Sequence, residues 1–254
     1  MPYITNQGVK IHYEVEGAGP PLVMLSGAWG STEDMYDSDY VDKLKNDFQL
    51  ILIDFRGHGA SGKPHDANKY SMKLFAEDII AVLDKLAIPQ FHIYAHSMGG
   101  WFIYGLYKFH PNRLLSIIVA DSVPYDSGGG FREVMGAYEE FINSLDSLTP
   151  AQKERRLTND KEAFLAMADW MDRDILEMKE LFEEVIKEID IPCLVLTSNL
   201  PEESEVLMQM NKAAKVIPNA ELVAFGELSH LDLFFRSDIT LPIIMKFLAK
   251  ANKV

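Results

Sequence analysis

Short segments of almost continuously apolar sequence recur along the 254-residue chain, and they restrict its possible folds more than any other feature. Strands that helices cover on both faces have this composition, because neither face meets water. Patterns of helical period lie between the segments, such as Ser71–Leu86, where Ser71 is a suitable N-cap. This alternation predicts an α/β fold, a parallel sheet with crossover helices. The predicted strands are Leu22–Leu25, Leu50–Ile53, Phe91–Tyr94, Leu114–Ala120, Cys193–Leu196 and Leu222–Phe225.

The N-terminal segment has a different pattern from these later strands. From Val9 to Glu16, apolar and polar residues alternate strictly, which is typical of a strand with one exposed face. His12 lies on the polar side, so we expect it to face solvent. The segment Tyr3–Asn6 precedes this strand across Gln7-Gly8, a pair suited to a tight hairpin. We therefore predict an antiparallel edge at the start of the sheet.

The alternation of strands and helices stops between residues 124 and 190. Helical stretches are predicted there over Phe131–Leu145, Pro150–Leu157 and Lys161–Lys187, and the segment contains 17 acidic and 8 basic residues. We predict an acidic helical cap at 124–190, inserted into a core domain formed by 1–123 and 191–254. Some apolar residues of the insertion either join its helices or line a pocket. They are Phe131, Phe141, Phe164, Met167, Trp170, Met171 and Met178.

The chain is strongly acidic, with a formal net charge of -14 at pH 7. Nucleic acids and anionic membranes carry charge of the same sign and repel such a surface, so we expect a small-molecule partner. The single cysteine, Cys193, excludes an intramolecular disulfide, and its apolar neighbours indicate a buried thiol. The first residues lack a secretory signal, and no run of about 18 apolar residues occurs. These features predict a cytoplasmic protein and leave its oligomeric state open.

A lone serine, Ser97, follows the predicted strand Phe91–Tyr94 in the sequence F-H-I-Y-A-H-S-M-G-G-W. A helix is predicted to begin at Met98, so the serine lies in a strand-to-helix turn. A sharp turn of this kind needs small residues two positions before and after the serine, and Ala95 and Gly99 meet that need. The turn exposes the hydroxyl at the carboxyl end of the sheet, where a nearby base makes it a nucleophile.

Four motifs, in this order along the chain, resemble those of the α/β-hydrolase family, and the likeness covers almost the whole chain. They are L-S-G-A-W-G at 25–30, D-F-R-G-H-G-A-S at 54–61, A-H-S-M-G-G at 95–100 and L-S-H-L-D at 228–232. The third resembles the nucleophile elbow, G-x-S-x-G. Ser26 and Ala95 depart from the common pattern, and neither departure removes a reacting group. The resemblance implies an α/β-hydrolase sheet with an inserted helical cap.

The resemblance also implies roles for particular residues. Ser97 would be the nucleophile, and His230, after the last predicted strand, would be its base. The backbone N–H groups of Ala28 and Met98 would form the oxyanion hole. His96, although next to Ser97 in sequence, is expected to project away from it.

The acid of a catalytic triad is not settled by the sequence. Most family members place it after the strand that follows the cap, where this chain reads T-S-N-L-P-E-E-S, so Glu202 is one candidate. Some members place it one strand earlier, where Asp121 follows I-I-V-A. A pair of Ser97 and His230 without an acid is the third possibility.

These residues predict a serine hydrolase that forms an acyl-enzyme, a reaction that needs neither a metal nor an organic cofactor. We expect a carboxylesterase for small to medium, neutral apolar esters, since an acidic cap disfavours polyanionic substrates. Lactonases, carbon-carbon bond hydrolases, aminopeptidases and perhydrolases of the family stay open. Epoxide hydrolases and haloalkane dehalogenases need an aspartate nucleophile, so Ser97 speaks against them. The alternative is a hydrolase-like receptor that binds a small molecule with slow or no turnover.

Overall fold

One sheet forms the centre of the computed structural model, which describes residues 2–122, 131–145, 148–157, 159–200 and 204–252. Its strands are β1 (Tyr3–Asn6), β2 (Val9–Glu16), β3 (Pro21–Leu25), β4 (Gln49–Ile53), β5 (Phe91–His96), β6 (Leu114–Ala120), β7 (Cys193–Ser198) and β8 (Ala220–Phe225). Within the described residues these eight strands lie in the order β1-β2-β4-β3-β5-β6-β7-β8. Each predicted strand is therefore present, most of them extended by one or two residues.

The strand pairings separate an antiparallel edge from a parallel centre. β1 pairs antiparallel with β2, and β2 pairs antiparallel with β4. All the other pairings in the described part of the sheet are parallel. The hairpin between β1 and β2 turns through Gln7 and Gly8, whose φ angles of 46° and 82° suit a tight hairpin loop. The predicted mostly parallel sheet with an antiparallel start is confirmed.

Helices lie on both faces of the sheet. They are α1 (Glu33–Asp37), α2 (Tyr40–Leu44), α3 (Met72–Lys85), α4 (Met98–Phe109), α5 (Phe131–Gly136), α6 (Tyr138–Ser144), α7 (Pro150–Leu157), α8 (Lys161–Glu188), α9 (Ser204–Val216), α10 (Asp232–Phe235) and α11 (Ser237–Ala251). Ser71 caps α3, since its Oγ accepts a hydrogen bond from the N–H of Leu74 at 3.1 Å. No helix in the described part of the chain is both long and apolar enough to span a lipid bilayer.

Alternate residues of each central strand enter two different layers of the core. In β3, Val23 and Leu25 pack into a layer shared with α3, α4, α8 and α9, whereas Leu22 and Met24 pack into a layer shared with α1, α2 and α11. Because both faces are covered, the central strands consist mostly of apolar residues. This packing places the carboxyl ends of β5, β6 and β7 side by side, so the residues that follow them meet at one edge of the sheet.

The helices α5 to α8 lie between β6 and β7 in the chain. The predicted helix Phe131–Leu145 is divided near Gly136, in accord with the low helix propensity of glycine. The helix α8 has a kink at Asp174, where φ is -107° and ψ is 15°. The division of the chain into a core domain (1–123 and 191–254) and a cap (124–190) stays a prediction.

Apolar residues of the insertion pack against the core domain. They share a cluster with Phe55, Phe75 and Phe102, and the Trp170 ring lies 5.5 Å from the Phe75 ring. The members from the insertion are Phe131, Phe164, Met167, Trp170, Met171 and Met178. The side chain of Phe141, which the sequence also suggested, lies outside the described part. These contacts attach the insertion to the core.

His12 departs from the alternation of β2. Its side chain is buried, so the expectation that it faces solvent was wrong. Its Nδ1 lies 2.8 Å from Asp54 Oδ2, and its N–H donates to Ser61 Oγ at 2.8 Å. The turn that follows β4 therefore covers the polar face of β2, a tertiary contact that alternation does not reveal.

Candidate active site

Ser97 has a strained backbone at the junction of β5 and α4. Its φ is 53° and its ψ is -130°, a conformation that a residue with a side chain rarely adopts. The N–H of Ser97 donates to Ala120 O at 2.9 Å, which ties the turn to the end of β6. Strain of this kind persists only where the surrounding structure holds it, and it is concentrated at functional sites.

The atoms packed around the glycines that follow the serine leave no room for a side chain at either position. A Cβ on Gly99 would lie 2.3 Å from Ser26 O, and a Cβ on Gly100 would lie 2.1 Å from Ser122 Oγ. Contacts this short do not occur between real atoms, so both positions require glycine. Gly99, one of the two small residues predicted from the sequence, is thus a steric requirement of the turn.

His230 and Asp121 lie next to the serine. The Nε2 of His230 is 2.9 Å from Ser97 Oγ, and its Nδ1 is 3.3 Å from Asp121 Oδ2. The other carboxylate oxygen, Oδ1, accepts a hydrogen bond from the N–H of Ser198 at 2.9 Å. The structure therefore brings together three residues that follow β5, β6 and β8, at the edge of the sheet where parallel strands end.

The environment of Asp121 keeps its carboxyl ionised. Burial by itself raises the pKa of Asp121, but His230 and the N–H of Ser198 lower it by more than burial raises it. The pKa of Asp121 therefore lies below its ordinary value. The Oδ2 atom of Asp121 is buried and has no hydrogen bond of standard geometry to any described residue. Its distance of 3.3 Å from His230 Nδ1 is within the range of an ion pair. Glu202, the alternative acid, lies outside the described residues.

Ala28 and Met98, whose N–H groups are the predicted oxyanion donors, belong to two segments that adjoin Ser97. Met98 is the first residue of α4, where helical N–H groups have no acceptor within the helix. Ala28 belongs to residues 26–31, here called the oxyanion loop after the role predicted for it from the sequence. A Cβ on its Gly27 would lie 3.0 Å from Ser97 Cβ, so the loop passes directly over the serine. Neither N–H has a hydrogen-bond acceptor among the described residues.

Comparison with known proteins agrees with this geometry. Residues 20–173 match the family described as the alpha/beta hydrolase fold. The chain belongs to this family. The non-heme chloroperoxidase CPO-A1 of Kitasatospora aureofaciens is 26% identical over 251 residues, which cover 89% of this chain and 90% of that protein.

Two further matches differ in extent. Bifunctional epoxide hydrolase 2 of Rattus norvegicus is 28% identical over 119 residues, which cover 45% of this chain and only 21% of that protein. The crystal structure of the enol-lactonase from Burkholderia xenovorans LB400 has a TM-score of 0.80 at 19% identity, covering 98% of this chain and 100% of that one. The match to the enol-lactonase shows the fold alone, and it extends over nearly the whole of both chains.

In this α/β hydrolase a cavity of about 80 Å³ opens beside Ser97 and His230. It is much smaller than the roughly 300–1,000 Å³ typical of drug-sized ligand sites, so it suits a small group. Its side-chain lining is mostly apolar. The apolar members are Ala28, Trp29, Ile142, Leu145, Leu231, Phe234 and Phe235. The insertion therefore reaches the cavity through Ile142, Leu145 and Arg156, and none of the suggested apolar residues whose side chains are described lines it.

A buried ion pair also borders the cavity of the hydrolase. Arg156 of α7 contacts Asp34 of α1, with Nη2 2.8 Å from Oδ2, and both residues line the cavity. Arg155 contacts the same carboxylate at 3.1 Å. The sequence analysis did not identify this pair. The adjacent arginines in an otherwise acidic insertion were a signal, but their partner lies more than 100 positions away and has no motif of its own.

His96 lies in the active site as well. Its Nε2 donates to the backbone O of His230 at 2.7 Å, and the two imidazole rings lie 4.6 Å apart. Burial, reinforced by the nearby His230, lowers the pKa of His96 to about 3, so its ring is neutral at neutral pH. The expectation that His96 projects away from the serine was wrong, because the sharp turn directs its ring toward the loop that carries His230.

The described residues contain no group of three or more His, Cys, Asp or Glu side chains placed to hold a metal ion. The thiol of Cys193 is buried in β7, and burial raises its pKa to about 12. This agrees with the small apolar role predicted for it.

Proposed function

We propose that the protein is a serine carboxylesterase for small, neutral acyl esters, with Ser97 as nucleophile, His230 as base and Asp121 as the acid. The observation that supports this most is the distance of 2.9 Å between His230 Nε2 and Ser97 Oγ, beside a small cavity. This is within hydrogen-bond reach, the first requirement for transfer of the hydroxyl proton.

The reaction proceeds through an acyl-enzyme. Ser97 Oγ attacks the ester carbonyl carbon while His230 Nε2 accepts the hydroxyl proton. The carbonyl oxygen becomes an oxyanion, which the N–H groups of Ala28 and Met98 stabilise. The bond to the alcohol oxygen then breaks, and His230 returns the proton to the leaving alcohol. Water repeats the sequence on the acyl-enzyme, which releases the acid and restores Ser97.

The ionised carboxylate of Asp121 serves this cycle electrostatically. It lies 3.3 Å from Nδ1 of His230, where it stabilises the imidazolium that forms when the proton leaves Ser97. It also favours the tautomer with a proton on Nδ1, which leaves Nε2 free to accept. The depressed pKa of Asp121 keeps it charged throughout the range in which an imidazole works as a base.

The substrate class follows from the cavity. About 80 Å³ bordered by Ile142, Leu145 and Phe234 accommodates a short acyl chain without charge. The net charge of -14 disfavours polyanionic substrates at long range. The predicted cytoplasmic location and the absence of a required cofactor stay predictions.

Labelling with a fluorophosphonate tests the proposal. We expect covalent modification at Ser97 and hydrolysis of p-nitrophenyl butyrate, and both should be lost in Ser97→Ala. Ser122→Ala is the matched control, because this buried serine lies beside the same turn and its Oγ has no partner among the described residues. Folded protein with no label on Ser97 and no turnover would favour the receptor over the esterase.

A further inference from the structure

The oxyanion loop contains a second strained residue. Trp29 has a left-handed φ of 60°, a backbone conformation that is unfavourable for a residue with a side chain. The N–H of Gly30 donates to Gly27 O at 3.2 Å, so residues 27–30 form a turn with Trp29 at the position that needs positive φ. Glycine or asparagine usually occupies that position. A tryptophan there needs support from other contacts.

Asn159, just after α7, supplies such a contact. Its Nδ2 donates to Trp29 O at 3.1 Å and to Arg156 O at 3.0 Å, and its N–H donates to Arg156 O at 3.1 Å. Both acceptors of the side chain are carbonyl oxygens, so the amide nitrogen must be the atom that faces them. Asn159 is therefore fixed to the end of α7 and reaches across to the oxyanion loop.

A chain of hydrogen bonds runs from Asn159 to the N–H of Ala28. In a trans peptide the C=O and N–H groups point in opposite directions. Asn159 binds the C=O of the peptide between Trp29 and Gly30, and the N–H of that peptide binds Gly27 O. Gly27 O belongs to the peptide between Gly27 and Ala28, and the N–H on the opposite side of that peptide is the N–H of Ala28. Hydrogen bonds in a chain polarise one another, by roughly 10–30% per bond.

A second link from α7 holds the other end of the loop. Arg156 Nη2 lies 2.8 Å from Asp34 Oδ2, and the same oxygen accepts the N–H of Ser31 at 3.0 Å. The insertion is thus linked to the loop on both sides of Gly30, directly by Asn159 and, through Asp34, by Arg156. Arg156 and Asp34 also line the cavity, so a change in either alters the pocket as well. Asn159 is not part of the cavity lining and separates the two effects.

We propose that Asn159 is a positioning residue for the oxyanion hole, acting through the Trp29–Gly30 and Gly27–Ala28 peptides on the N–H of Ala28. The inserted helices then do more than cover the active site, since they hold one of its two oxyanion donors in place. This inference rests on the proposed ester hydrolysis, in which Ala28 stabilises the tetrahedral intermediate. Turnover is coupled to the docking of α7 on the core.

The variants Asn159→Ala and Asn68→Ala form a matched pair. The Oδ1 of Asn68 accepts a hydrogen bond from Arg173 of α8 at 3.1 Å, so each variant removes one contact between core and insertion. In Asn159→Ala, kcat for p-nitrophenyl butyrate should fall about tenfold with KM unchanged, a smaller loss than the 10²–10³-fold for a missing donor. The inhibition constant of a propyl trifluoromethyl ketone, whose adduct carries an oxyanion, should rise by the same factor. Asn68→Ala should match the wild type in these values.

The outcomes separate this inference from the proposed function. Equal kcat and equal inhibition constants for the Asn159 and Asn68 variants, in a protein whose wild type hydrolyses the ester, would overturn the role of Asn159. A wild type that neither hydrolyses esters nor is labelled at Ser97 would overturn the proposed function instead. If Asn159→Ala does not fold, Asn159→Asp keeps the shape of the side chain and lacks the donor, and the same comparison applies.

Discussion

Two of the strained backbone positions at the reaction centre, Ser97 and Trp29, are supported in different ways. At Ser97 the small residues that permit the turn, Gly99 and Gly100, are close in sequence, and the N–H of Ser97 donates to Ala120 O of the adjacent strand. Trp29 is held by Asn159, which lies 130 positions away in the insertion. A strained backbone is therefore evident in the sequence when small residues beside it mark the turn, and hidden when only a distant part of the fold supports it.

The largest expected effect is on kcat and comes from Asp121, which follows β6 of the core. Asp121→Asn should lower kcat by about 10³–10⁴-fold, because a neutral amide neither stabilises the imidazolium nor selects the tautomer of His230. Steady-state hydrolysis of p-nitrophenyl butyrate measures this, with Glu202→Gln assayed in parallel. A severe loss in Glu202→Gln together with near-normal Asp121→Asn would transfer the role of the acid and remove it from the end of β6.

The steric origin of the turn at Ser97 is tested by Gly99→Ala. The new Cβ meets a backbone oxygen, Ser26 O, that cannot move without shifting the oxyanion loop. The free energy of unfolding should therefore fall by about 3 kcal/mol. Urea denaturation measures the change. Gly136→Ala, at a glycine of the insertion with nothing within 4 Å of the added Cβ, is the matched control and should not destabilise the protein. Equal midpoints for the two variants would contradict a steric requirement at Gly99.

The contact between core and insertion should carry a pH dependence through His58. Its ring lies 4.9 Å from the Phe164 ring of α8, and burial lowers the pKa of His58 to about 3. Between this value and the ordinary pKa of about 6.5, the unfolded chain binds a proton that the folded protein does not, so stability falls as the pH falls.

The sign and size of this effect follow from one proton. Between pH 7 and pH 5 the free energy of unfolding of the wild type should fall by about 2 kcal/mol because of His58, and His58→Phe should not show this part of the loss. Urea unfolding at both pH values measures it. His96, with a similarly lowered pKa, contributes a further loss that His58→Phe leaves in place. An unchanged difference between the two pH values in His58→Phe would show that this histidine is not buried in its neutral form.

Much of the fold was predictable because the signals are local. The strands follow from runs of apolar residues covered on both faces, and the bounds of α4 and α7 follow from helical period and a proline start. Ser97 and Asp121 were both placed after neighbouring parallel strands, so their approach follows from the sheet order. His230 was found through the family resemblance, since a histidine in a loop has no periodic pattern to mark it.

The amino-acid sequence by itself determined the parallel sheet and the strand-to-helix turn at Ser97, because hydrophobic period and small side chains act on their immediate neighbours. The tertiary structure alone decided that His12 is buried, that His96 binds the backbone of His230, and that Asn159 supports Trp29. Each of these contacts joins residues at least 40 positions apart. A hydrogen bond depends on atoms that meet within about 3 Å, and only the packed fold brings such distant residues that close.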